Sequence, residues 1–266
     1  MPIQCDPEAA LGRELSDEVV YVGHATVLIE LDGVRLLTDP VLGDRVGPLR
    51  RYGPRPAAGS AGDLDAVLIS HLHRDHVDPR SLRRVAAGVP LIVPAGTRAF
   101  FERRGFGAVV ELAPGESHRV GQVLVTATAA EHRIGRRGVE AAPVGFLVEG
   151  SRRLYFAGDT DLFDGMAALG DGGLDLALLP VWGWGPTLGP GHMDPERAAR
   201  AAALLAPRLA VPIHWGTLYP AGLARLRPRP LTEPPHRFAA YVHDFAPGVE
   251  VRVAPPGSSV AFPPER

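Results

Sequence analysis

Three imidazoles and a carboxylate stand within six residues in His71-Leu72-His73-Arg74-Asp75-His76, directly after the apolar run Ala66-Val67-Leu68-Ile69-Ser70. That places candidate metal ligands at the end of a buried strand. Side chains of an extended chain alternate with period two, so His71 and His73 face the same way and can grip one ion together. Asp75 and His76 follow once the chain has begun to turn, within reach of a second ion. Packing does not account for such a density of titratable groups after an apolar run. Nitrogen and oxygen donors without thiolate suit zinc, manganese or iron and argue against a structural cysteine-rich zinc knot.

Further strand ends carry similar residues. Val123 to Thr128 reads as a strand that delivers His132, and Leu209 to Ile213 as one that ends on His214. A hairpin made of Val144 to Glu149 and Arg153 to Phe156 leads to Asp159, which follows Gly158, where backbone can approach a ligand closely. Read alone, Asp159 serves equally well as a turn or cap aspartate. His24 and Asp39 stand at the two ends of an opening hairpin turned at Asp32-Gly33, where each by itself reads as a hydrogen-bonded polar group. His192 lies where a loop meets a helix begun by Asp194 and Pro195. Trp182 and Trp184, in the glycine-rich loop before it, can wall a substrate pocket, although tryptophan pairs more often pack.

The elements that must position these groups follow from periodicity and punctuation. The histidine loop leads into a helix capped by Asp78, then strand Leu91 to Val93, helix Thr97 to Arg104 and strand Ala108 to Glu111, an alternation that implies a sheet backed by helices. Pro40 to Asp65 reads as a long irregular loop, and the last strand is expected at Val249 to Val253. At 266 residues and 45% hydrophobic, the chain is expected to form one domain spanning 1–266. Its net charge of −2 provides no bulk attraction to nucleic acid or to a membrane. All 28 basic residues are arginine, a bias that lowers the meaning of arginine pairs along the sequence. Cys5 has no cationic neighbour to favour a thiolate, no segment is long and apolar enough for a leader or a span, and a cytoplasmic location is expected.

The strand-end His-x-His-x-Asp-His, the isolated His132, Gly158-Asp159-Thr160 and the late His214 together resemble the metallo-β-lactamase superfamily of metal-dependent hydrolases. Gly23-His24-Ala25-Thr26, Leu37-Thr38-Asp39-Pro40, His192-Met193-Asp194-Pro195 and Ile213-His214-Trp215-Gly216-Thr217 are similar to the branch holding N-acyl-phosphatidylethanolamine-hydrolysing phospholipase D and ascorbate-6-phosphate lactonase-like proteins. The resemblance implies an α/β fold, a four-layer αββα sandwich with a dinuclear site at one edge. It implies His71, His73 and His132 on one metal, Asp75, His76 and His214 on the other, and Asp159 bridging. Asp39 would fix a ligand from behind, His24 would sit beneath the site, and His192 would lie beside the metals.

Two divalent ions, zinc ahead of manganese or iron(II), would lower the pKa of a shared water from 15.7 to roughly 7 and so make hydroxide available. Asp75 would orient that hydroxide and His192 would protonate the leaving group. The expected reaction is hydrolysis of a phosphodiester or a lactone or other ester in a small or amphiphilic substrate, with no nucleic acid partner. A nuclease-type phosphodiesterase and a di-iron redox protein on the same fold are the alternatives. The second is disfavoured because di-iron members resembling this group tend to carry glutamate where His73 stands.

Overall fold

The computed structural model describes residues 16–57, 59, 62–85, 88–132 and 141–265. Cys5 lies outside them. The chain opens as a meander, β1 (Glu18–Gly23), β2 (Thr26–Leu31) and β3 (Val34–Thr38), with Asp32 and Gly33 at positive φ forming the second turn. The stretch expected to be irregular instead holds two short strands, β4 (Arg45–Val46) and β5 (Leu49–Arg51), too brief to show a periodicity. Then come β6 (Ala66–Leu68), α1 (Pro79–Val85), β7 (Leu91–Pro94), α2 (Arg98–Glu102) and β8 (Val109–Leu112).

The second half runs β9 (Ser117–Val120), β10 (Val123–Ala129), β11 (Val144–Glu149), β12 (Arg153–Phe156), β13 (Leu176–Pro180), α3 (Pro195–Leu205), β14 (Leu209–Ile213), β15 (Leu218–Pro220), α4 (Glu233–Phe245), β16 (Glu250–Val251) and β17 (Ser258–Ala261). Sequence reading does not anticipate β9 or β17. Both are four-residue edge strands with polar residues on the outward face, and β17 pairs antiparallel with β1. The strand expected at Val249 to Val253 shrinks to β16.

Seven strands in the order β17-β1-β2-β3-β6-β7-β8 make one sheet, and seven in the order β16-β14-β13-β12-β11-β10-β9 make the other. β15, β5 and β4 form a small third sheet. Alternation explains the layers. Val19, Tyr21, Val27, Ile29, Leu36 and Leu68 of the first sheet share a core with Val125, Phe146, Val148, Tyr155 and Leu178 of the second. Their neighbours Val22, Leu28, Leu37, Val67 and Ile69 pack on the other face, against Leu82 and Val85 of α1 and Phe100 and Phe101 of α2. α3 and α4 pack on each other and on β13 and β14, with Ala198, Ala199, Ala202 and Leu205 buried. The expected four-layer αββα sandwich is therefore present.

β3, β6 and β7 run parallel, as do β12, β13 and β14, and β10 points the same way as β12 because two antiparallel pairings separate them. The carboxyl ends of β3, β6, β10, β12 and β14 thus lead to Asp39, His71, His132, Asp159 and His214. Among the described residues no helix is long and apolar enough to cross a membrane. Phe101, fully buried between α2 and the first sheet, should cost about 3–5 kcal/mol of unfolding free energy when replaced by alanine, read as a lower denaturant midpoint at unchanged slope.

Candidate metal centre

Ile69 still bonds to the neighbouring strand (its N–H donates to Ile92 O at 2.9 Å), and the chain leaves the sheet at Ser70. His71 and His73 then lie on one side, with His71 Nε2 and His73 Nδ1 3.0 Å apart. A turn in which His76 and Val77 N–H donate to His73 O carries Asp75 and His76 to a separate position. His132 Nε2 lies 3.0 Å from His73 Nδ1, so three ring nitrogens converge. His76 Nε2 meets His214 Nε2 at 3.1 Å, with Asp75 Oδ2 at 3.6 Å and 3.8 Å from them.

Asp159 stands between the groups, 2% exposed. Its Oδ2 lies 3.1 Å from His76 Nε2 and 3.9 Å from His71 Nε2, and its Oδ1 3.2 Å from His214 Nε2. Neither oxygen receives a hydrogen bond of good geometry. Gly158 makes this approach possible: φ is +61°, and a Cβ there would meet Ser70 Cβ at 2.8 Å.

The outward nitrogens of His71, His76, His132 and His214 are all engaged, whereas His73 turns its Nδ1 inward. His132 Nδ1 faces Gly191 O at 2.7 Å, His214 Nδ1 faces Trp182 O at 2.8 Å, and His76 Nδ1 faces Asp39 Oδ2 at 2.7 Å. Ser70 Oγ donates to Asp39 Oδ2 at 2.6 Å, leaving it to accept from His71 Nδ1 at 2.9 Å. Carbonyls and carboxylates cannot donate, so this network puts the proton on Nδ1 of His71, His76, His132 and His214 and turns their Nε2 lone pairs inward. Tetrahedral ligation at 2.0–2.1 Å spaces ligand nitrogens about 3.4 Å apart. The inward donors are gathered close to that spacing, and the residues present fit a divalent cation at each group. His71, His73, His132 and Asp159 form one cluster of donors, and His24, Asp75, His76 and His214 another.

His24 comes nearer than expected from sequence. It sits in the β1–β2 turn at φ +59°, its ring centroid 3.9 Å from that of His214 with the planes tilted by 36°. Its Nδ1 is buried without a partner, so Nε2–H donates to Asp75 Oδ2 at 2.9 Å and holds that carboxylate. His192 places Nδ1 3.2 Å from Gly189 O and Nε2 3.3 Å from Asp159 Oδ2, partly open to solvent. Trp182 reaches the site through its carbonyl while its ring packs on the core and donates to Gly185 O, and Trp184 is 42% exposed. Sequence reading also passed over Ser70 and the Gly191 and Trp182 carbonyls. Ser70 directly precedes His71, which is the signal that could have found it. The carbonyls carry none, since every residue has one.

A profile of the beta-lactamase superfamily domain matches residues 34–215. The chain belongs to the metallo-β-lactamase superfamily of metal-dependent hydrolases. It is 35% identical over 240 residues to N-acyl-phosphatidylethanolamine-hydrolyzing phospholipase D 1 of Caenorhabditis elegans, covering 79% of this chain and 67% of that one. With a UPF0173 metal-dependent hydrolase of Deinococcus radiodurans it shares 35% identity over 249 residues, 90% of this chain and 96% of the other. The metallo hydrolase Igni18 of Ignicoccus hospitalis superposes with a TM-score of 0.73 at 26% identity, over 94% of this chain and all of that one. Against a Mycobacterium tuberculosis relative at 35% identity, the chain spans 63% of the relative's length.

Within this superfamily member the two groups differ in charge. Burial holds His71 well below the usual imidazole range, with the His76 charge adding to it, and burial pushes His132 down to about 4. His73 is lowered by burial as well. Burial opposes protonation of His76 too, but Asp159, Asp75 and Asp39 outweigh it and raise His76 well above the usual range. A proton competes with a cation wherever the pH is below the histidine's pKa. Lowering the pH should therefore empty the Asp75–His76–His214 group first and the His71–His73–His132 group later. Metal content after dialysis at descending pH should fall in two steps; loss of both ions in one step would contradict the assignment.

Proposed function

We propose that the chain is a dinuclear metal-dependent hydrolase whose substrate is a phosphodiester, with a lactone or other ester as the alternative bond. The observation that carries the reading is Asp159, a buried carboxylate without good hydrogen bonds, set between two groups of inward-facing donors. His71, His73 and His132 would hold one ion, Asp75, His76 and His214 the other, and Asp159 would bridge them. Zinc suits this donor set, with manganese or iron(II) as alternatives. The ions, when bound, supply Lewis acidity and lower the pKa of water toward 7. Identity of 35% to a nematode phospholipase D supports the phosphodiester.

The chain's own residues perform the rest. His24 fixes the Asp75 carboxylate, and Asp39 fixes the rings of His71, through Ser70, and His76. His192 is raised above the ordinary imidazole range: burial opposes, but its contact with Asp159 outweighs it. Its protonated Nε2 would hand a proton to the departing alkoxide. His192→Gln should then slow a diester with an alkyl alcohol leaving group by about 10²-fold or more, yet barely slow one that releases p-nitrophenolate. Equal loss on both would remove the general-acid role.

Metal analysis and hydrolysis of bis(p-nitrophenyl) phosphate and a simple lactone, before and after chelation, test the whole reading. Close to two ions per chain and chelator-sensitive turnover of the diester are expected. His73→Ala should lose one ion and lower kcat/KM by about 10²–10³-fold while the circular dichroism spectrum stays native. Undiminished turnover in the metal-depleted variant would falsify the mechanism.

A further inference from the structure

On the outer side of the histidine loop lies a cleft of about 400 Å³, within the size range of small-ligand sites. Arg45 of β4, Arg74 of the histidine loop, Arg80 of α1 and Arg104 just past α2 line it, with Asp78 as the acidic residue among its walls. Three separate stretches of chain bring these four arginines to one cleft, so arginine-rich composition alone does not account for them.

Among the described residues, the side chains of Arg45, Arg74 and Arg80 have no ion pair or hydrogen bond. Arg104 lies over the Phe100 ring with Cζ 3.6 Å from its centroid and donates to Phe100 O at 2.7 Å, which fixes its position without cancelling its charge. Asp78 Oδ2 accepts from Ser81 N at 3.0 Å and from Ser81 Oγ at 2.6 Å, and Oδ1 faces Arg80 N at 3.4 Å, so the carboxylate starts α1 and is the single acidic group in the cleft beside the four arginines among the described residues. Val46, Val77 and Phe100 complete the walls with apolar surface. Guanidinium is a planar fork that matches phosphate oxygens, and an apolar wall beside it suits an organic group carrying that phosphate.

We infer that this cleft binds the phosphate of an organic phosphomonoester at a site separate from the metal centre. The inference goes beyond the hydrolase reading and does not depend on it. Calorimetric titration with inorganic phosphate and with phenyl phosphate tests it on the metal-loaded wild type, on an Arg45→Ala/Arg80→Ala variant and on His73→Ala. The arginine variant should bind phenyl phosphate at least tenfold more weakly than wild type, as expected for losing charge-assisted contacts. His73→Ala should keep the event that the arginine variant loses. Phenyl phosphate should bind wild type more tightly than inorganic phosphate does, which separates an organic ligand from free phosphate. Equal affinity of the arginine variant and wild type, or loss of all binding in His73→Ala alone, would overturn the separate site. Equal binding of the two probes would overturn its organic ligand.

Discussion

The Asp39 carboxylate is withdrawn from solvent, and an ionised carboxylate in that position is tolerated only when donors replace its water. Ser70 N–H donates to one oxygen at 2.8 Å, and Ser70 Oγ and His76 Nδ1 to the other at 2.6 and 2.7 Å. Through those bonds one buried group orients His71 of the first donor cluster and His76 of the second. The geometry rests in turn on the parallel pairing of β3 with β6, which brings the ends of the two strands side by side. It also rests on an uncommon backbone: Asp39 has φ +35°, a region non-glycine residues seldom occupy, and its N–H donates to Leu68 O at 2.9 Å. His24 and His214 share that left-handed conformation, at φ +59° and +64°, with His214 N–H bonded to His24 O. Strain of this kind persists where surrounding structure over-determines it, and it concentrates at functional sites.

The site is also divided electrostatically. Its first half is built from imidazoles whose charged forms are disfavoured by burial; its second half sits among Asp39, Asp75 and Asp159, which raise His76 well above the usual imidazole range. Burial acts on both halves alike, and the carboxylates decide the difference. His24 contributes without charge, since burial and the neighbouring His214 hold it down to about 3. A neutral ring donating one hydrogen bond to Asp75 leaves that carboxylate's remaining lone pairs free.

The four layers explain why so polar a site coexists with a dry core. The first sheet is apolar on both faces, split by strand alternation between the inter-sheet core and the α1–α2 layer. The polar side chains of the site are confined to positions beyond the strand ends, where the hydrogen-bond ladder stops and side chains can turn toward a common point. Tyr21 illustrates the joint between the two regions: its ring lies in the core and its hydroxyl donates to Trp215 O at 2.7 Å, one residue beyond His214.

The sequence by itself pointed to the donor residues of the histidine loop, because the apolar run Ala66 to Ser70 and the breaker after it are local properties, although the strand itself ends at Leu68. It determined the helices after Asp78 and Asp194 for the same reason, since N-caps and helix-compatible prolines act within one turn. It did not determine β4, β5, β9 or β17, whose two to four residues carry too little pattern and are held by pairing with distant strands. Nor did it determine which carbonyls set the histidine tautomers, or that His24 would reach Asp75 across 51 positions. Those depend on where the parallel strands of two stacked sheets end relative to one another. Only the packed tertiary structure decides that, because it alone brings backbone groups from separate strands within hydrogen-bonding distance.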